Sequence, residues 1–275
     1  MSTLHTFGCS ITQGFALPDI VRPLSEEQIA QLGRPFHWMD VHVLEPSNYA
    51  WPSILAQLLD QPVVNHARRG ACFQQIARQI TVAAPTIQPN DTVVVMWTYL
   101  SRISLQWPAR NSVPLCNMVD PTTWRTRILP GWNRFFGLTP SVEGKGINDQ
   151  AILQYIESAT RIAMNPMAVY DQYYNSLVLQ TACDGQLRNT GARVIHLSVE
   201  REPVLLQLEQ ARQQLDPSLR EPYVIPDPCD WYTLAVDYDH CRILHDPTIP
   251  PAENDMHPSV LHHERFAQHI HSELF

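Results

Sequence analysis

Glycine is scarce in this chain and cysteine is scattered, and each fact narrows what the protein can be. Ten glycines among 275 residues leave no phosphate-cradling loop. The one approach to such a loop, Gly8 followed by Gly14, lacks the Lys-Ser/Thr ending. The six cysteines (Cys9, Cys72, Cys116, Cys183, Cys229, Cys241) include no Cys-x-x-Cys pair. That spacing argues against a zinc ribbon or a disulfide framework and predicts free, buried thiols. Positive charge is also short: 19 Lys+Arg against 27 Asp+Glu give a net charge of -8. No nucleic-acid partner is expected, because affinity for a phosphate backbone rests on Lys and Arg. No run of about 18 apolar residues occurs, so no membrane span is expected. Met1 to Phe7 shows no basic stretch followed by an apolar run, which predicts no secretory leader and a cytoplasmic location. His257, His262, His263, His269 and His271 crowd the C-terminal part, yet no HExxH or zinc-type spacing occurs. Neither a metal nor a cofactor is expected.

Proline, by contrast, is abundant, with 23 residues, which predicts long ordered connections. Hydrophobic residues at 44% and charged residues at 17% suit a folded globular chain. The length fits one domain over residues 1–275, with insertions at about 17–46, 101–148 and 200–250. Nothing in the composition sets an oligomeric state.

Short apolar runs alternate with helical patterns. Leu4–Phe7 reads as a strand that stops at Gly8-Cys9-Ser10. A helical spacing opens at Ser47-Asn48 and carries Trp51, Ile54, Leu55, Leu58 and Leu59. Pro62–Asn65 reads as a buried strand, 72–83 as a helix with Ile76 and Ile80 on one face, and Asp91–Trp97 as a central strand. Residues 149–189 predict a long helix that a break at Asn165-Pro166 would divide. Ala192–Val199 is a further buried strand, and Pro258–Leu274 an amphipathic helix. Residues 101–148 hold Trp107, Trp124 and Trp132 without a sustained period. They predict a wall or lid over the strand ends, with Trp107 against substrate.

This alternation predicts a parallel sheet covered by helices on both faces, with the ligand site beyond the carboxyl ends of the strands. Gly8–Ser10, Asn65–Gly70 and Thr98–Ser101 all end strands there, and Asn254–Pro258 precedes the last helix. Ser10 follows the first strand, where its hydroxyl and its own N–H both face the cleft. A serine alcohol needs an imidazole to take its proton, and His257 is placed to do so. Arg102 is placed to meet an anionic substrate group, whereas Arg68 and Arg69 read as solvated charges.

Three stretches carry a family resemblance. Phe7-Gly8-Cys9-Ser10-Ile11-Thr12 resembles the first block of the SGNH (GDSL-like) hydrolases. Val64-Asn65-His66-Ala67-Arg68-Arg69-Gly70-Ala71 resembles the second, and His257-Pro258-Ser259, with His263 beyond, the last. The resemblance implies a flavodoxin-like α/β/α sandwich that cleaves acyl or acetyl esters, on small-molecule or carbohydrate substrates, with no cofactor. It implies Ser10 as nucleophile and oxyanion donor, Gly70 as a second donor and His257 as general base.

Two positions depart from the pattern. The third block has no Asn after the central strand, and either Thr98 or Ser101 stands in its place, with Thr98 taken as the donor. The family places an Asp three residues before the His, where this chain has Asn254; Asp255 lies two before and is taken as the acid. These departures keep open a module that retained the fold and lost catalysis. An acyltransferase using the same residues is a further alternative.

Overall fold

The computed structural model describes residues 2–20, 25–27, 45–99, 171–200, 213, 217, 239–252 and 257–275, and the backbone alone of 102–105, 115–118, 166–170 and 236–237. Its strands are β1 (Leu4–Phe7), β2 (Val63–Asn65), β3 (Thr92–Trp97), β4 (Arg102–Leu105), β5 (Leu115–Met118), β6 (Arg193–Ser198) and β7 (Val236–Asp237). Its α-helices are α1 (Ser10–Gln13), α2 (Trp51–Leu59), α3 (Phe73–Ala83), α4 (Pro166–Arg188), α5 (Cys241–Leu244) and α6 (Val260–Leu274).

The main sheet is parallel, in the order β2-β1-β3-β6-β7. With the separate β4–β5 hairpin left aside, this is the doubly wound 2-1-3-4-5 order. The chain runs outward from β1 to β2 and then reverses past β1 to β3. Right-handed crossovers in opposite directions must place α2 and α3 on opposite faces. The packing agrees. On one face α2 lies against α6, with Trp51 edge-on to Phe266 at 5.5 Å. On the other α3 lies against α4, and Phe73 stacks on Trp97 at 5.3 Å. The protein is therefore an α/β/α sandwich.

β1 and β3 sit inside the sheet, and every residue of both is buried. Helices cover both sides, so β3 reads as a nearly continuous apolar run, whereas β1 buries His5 and Thr6 between its apolar ends. Trp97 is fully buried and its indole N–H donates to His196 Nδ1 at 3.0 Å. That fixes the neutral tautomer with its proton on Nε2, which donates to Asp184 Oδ1 at 2.9 Å. Burial alone would raise the Asp184 carboxyl. The hydrogen bonds from His196 and Arg188 outweigh it and hold the group below the usual carboxylate range.

Several expectations shift. β2 is an edge strand with Val64 41% exposed, so the buried strand expected at Pro62–Asn65 is half-open instead. Its outer side has no neighbour in the sheet among the described residues. The helix expected from Ser47 begins at Trp51, because Ser47 accepts the Tyr49 N–H and donates to Asp19, ending the preceding loop rather than starting a helix. Part of 101–148, expected to lack periodic structure, forms the antiparallel β4–β5 hairpin. Cys9, Cys72, Cys183 and Cys241 are buried thiols in no disulfide among the described residues. The stretches around Trp107, Trp124 and Trp132, and residues 149–165, lie outside the described residues.

Candidate active site

The site lies where the winding of the sheet reverses, at the carboxyl ends of β1 and β3, the position at which doubly wound sheets open a crevice. β1 leads through Gly8 and Cys9 into the single turn of α1. A side chain at Gly8 would put its Cβ 2.7 Å from Thr12 Cβ and 3.2 Å from Met96 O, so only glycine lets the turn close this tightly. Cys9 is the extended N-cap, and Gly14 ends the turn with φ +80°. Ser10 is thus the first helical residue, and its N–H has no acceptor within α1.

His257 meets Ser10 from the far end of the chain. Its Nε2 lies 2.9 Å from Ser10 Oγ, across 247 residues of sequence. For Nε2 to accept the hydroxyl proton, the imidazole proton must sit on Nδ1. The turn carrying His257 is fixed on both sides. Its carbonyl accepts the Ala252 N–H at 2.9 Å, and Ser259 caps α6 two residues later, sharing His262 Nδ1 at 3.0–3.1 Å. Phe15 packs edge-on against the His257 ring at 5.0 Å. Ser10 is 4% exposed, which keeps the pair in a partly desolvated setting where electrostatic interactions strengthen.

The third strand end is tied to the first by Asn65. Its amide Nδ2 donates to Thr12 O at 2.8 Å, and its Oδ1 accepts the Ala67 N–H at 3.0 Å. Backbone hydrogen bonds from His66 to Thr6 O and from Arg68 to Gly8 O continue the β1–β2 pairing past the strands. The chain then turns at Arg68–Ala71, closed by Ala71 N–H on Arg68 O at 3.1 Å. The third residue of this turn is Gly70, at φ +70°, the conformation that a glycine there permits. A turn closed this way leaves the Gly70 N–H unused, and it has no acceptor among the described residues.

Thr98 follows β3 directly. It stands three residues beyond Val95, the register partner of Phe7, as Ser10 stands three beyond Phe7. Its side chain is fully buried, and Oγ1 has no partner among the described residues. Ser10, His257, Gly70 and Thr98 thus all stand at strand ends or turns of this edge. Asn254, Asp255 and Trp107 lie outside the described residues, and Arg102 opens β4, of which only the backbone is described.

His263 lies fully inside the protein, and its role is structural. Its Nδ1 accepts the Trp51 N–H at 3.2 Å, so α6 caps the start of α2. Burial, then the neighbouring His262 and His257, push its pKa down to about 3. Arg69, expected to be a solvated charge, is instead half-buried over Phe15, whereas Arg68 is exposed. Sequence reasoning also missed Asn65 and Phe15. Asn65 was legible as the last residue of a strand ending at the cleft, but its bond to Thr12 O reaches a residue of α1 that is 53 positions away.

No protein-family model and no curated protein matches the chain. Among solved structures it is similar to a carbohydrate esterase whose active site is described as having divergent catalytic and non-catalytic binding functions. The identity is 11% and the TM-score 0.41, over 99% of this chain and 64% of that one. The chain thus spans just under two thirds of the length of that structure.

Proposed function

We propose that the chain is a serine hydrolase of carboxylic esters, working through Ser10, His257 and an oxyanion site of the SGNH type. The observation that carries the reading is the 2.9 Å contact between His257 Nε2 and Ser10 Oγ at the switch point of the sheet. A serine hydroxyl is a weak nucleophile until an adjacent base takes its proton. His257 takes that proton as Ser10 Oγ attacks the ester carbonyl. The negative charge that develops on the carbonyl oxygen is met by the N–H groups of Ser10 and Gly70, with the Thr98 hydroxyl as third donor. Each donor of this kind contributes about 3 kcal/mol to the transition state. The tetrahedral species then collapses to an acyl-Ser10, and His257 returns the proton to the leaving alcohol. Water, activated by the same imidazole, hydrolyses the acyl group.

The test is a fluorophosphonate probe, which phosphonylates an activated serine, together with a panel of short-chain acyl esters and acetylated sugars. Wild type takes up the probe and cleaves at least one ester. Ser10→Ala and His257→Ala each abolish both, and their losses do not add because the pair acts as a unit. Labelling that survives Ser10→Ala overturns the nucleophile. Absence of any labelling or turnover favours a binding module on the same fold.

A further inference from the structure

Arg68 and Arg69 are neighbours in one turn, yet only Arg68 is exposed. The Arg69 guanidinium turns inward, with Cζ 6.0 Å from the centre of the Phe15 ring. The same ring meets His257 at 5.0 Å between centres. The guanidinium and the proposed general base therefore both contact one aromatic ring, and in sequence Arg69 is next to Gly70.

Its Nη1 is buried and has no hydrogen-bond acceptor among the described residues, and no carboxylate there pairs with it. Arginine cannot relieve this by losing its proton at any ordinary pH, although burial does weaken its hold on that proton. A desolvated charged donor without an acceptor is costly. The contact with Phe15 stands at the outer limit of a useful cation–π distance. It orients the group without supplying an acceptor. A planar fork of donors that shares a ring contact with His257 suits a carboxylate, which it can grip at two points.

We propose that Arg69 is the anion anchor of the substrate pocket, and that the ester cleaved at Ser10 bears a carboxylate about one aromatic ring from the scissile bond. This inference rests on the esterase reading and narrows its substrate class. Arg69 acts as a specificity residue: it touches the far end of the substrate and not the reacting atoms.

Two matched esters test it, 4-acetoxybenzoate and its methyl ester, which differ in the distal charge. Wild type should cleave the anionic ester with a kcat/KM at least tenfold higher. Arg69→Gln should erase that ratio, and Arg69→Lys should keep part of it because the charge remains. A wild type that treats both esters alike, or an Arg69→Gln protein that loses both in equal proportion, overturns the proposal. A binding arm separates this failure from failure of the esterase reading. The amide 4-acetamidobenzoate should raise the melting temperature of Ser10→Ala more than its methyl ester does. It should not do so for Ser10→Ala/Arg69→Gln. Anion-dependent stabilisation without cleavage of any ester retains the anchor and discards the esterase. Cleavage with neither a charge preference nor an anion-dependent shift does the reverse.

Discussion

Acidification should unfold this protein through a histidine that takes no part in catalysis. His263 is fully buried on α6 and spends its Nδ1 lone pair on the Trp51 N–H. Its pKa falls from 6.5 to about 3, first because burial penalises the imidazolium, then because His262 and His257 stand near. Above pH 6.5 the group is neutral in both folded and unfolded chains, and its contribution to stability is whole. Below pH 6.5 the unfolded chain takes up a proton that the folded chain refuses, and stability drains away until the pH nears 3. The loss is about 1.4 kcal/mol per pH unit, or about 3 kcal/mol by pH 4.5, a sizeable share of a typical domain's stability. His66, lowered to about 4 by burial and then by His5, adds in the same direction, but its partial exposure discounts it. Asp91 and Asp184 are held below their usual range, so their contributions are lost only as pH falls below about 3.8. The interval from pH 6.5 to 4.5 therefore belongs to histidine. Urea unfolding across it, for wild type and His263→Asn, provides the assay. The asparagine Oδ1 still accepts the Trp51 N–H but does not titrate. The variant should be less stable at pH 7, because it leaves a cavity. By pH 4.5 the gap should have narrowed by about 3 kcal/mol. Parallel stability curves would refute the reasoning.

Two further outcomes follow from the site. Asn65→Ala removes the tie to Thr12 O and should cut kcat by about 10²-fold through misplacement of Ser10. Its stability cost should be only about 1–2 kcal/mol, and an unchanged kcat would show that α1 needs no such tie. The acid is decided by two variants assayed for turnover. Asp255→Asn should lower kcat by as much as about 10⁴-fold if Asp255 orients His257. A large gain from Asn254→Asp, with no loss from Asp255→Asn, would give the role to position 254.

Much of the fold was legible because its inner strands are buried on both sides. Val93–Trp97 announces itself as an unbroken apolar run, Leu4–Phe7 as a short strand with apolar ends stopped by Gly8, and Ile76 and Ile80 mark the buried stripe of α3. β2 misled because three apolar-looking positions do not reveal whether a helix covers both faces. Val64 in fact lies open at the sheet edge. The meeting of Ser10 with His257 was legible because strand ends and the start of the last helix are marked by Gly8 and by the residues before Ser259. Arg69 was not, because two adjacent arginines look alike in sequence and only the direction of a turn sends one inward. Asn65 was missed for a related reason, since a side-chain amide that bonds a remote carbonyl leaves no periodic trace.

The separation of Ser10 from His257 by 247 positions would also set, on the esterase reading, when reactivity can arise. During synthesis the amino-terminal strands leave the ribosome first, and folding can begin from that side. Until the turn before α6 has emerged and docked beside α2, the serine is an ordinary alcohol with no base to deprotonate it. On that reading a nascent chain would carry Ser10 without the means to acylate it until His257 has been made. Probe labelling of Ser10 reports more than chemistry: it marks the moment at which the two distant parts of the polypeptide have closed on each other.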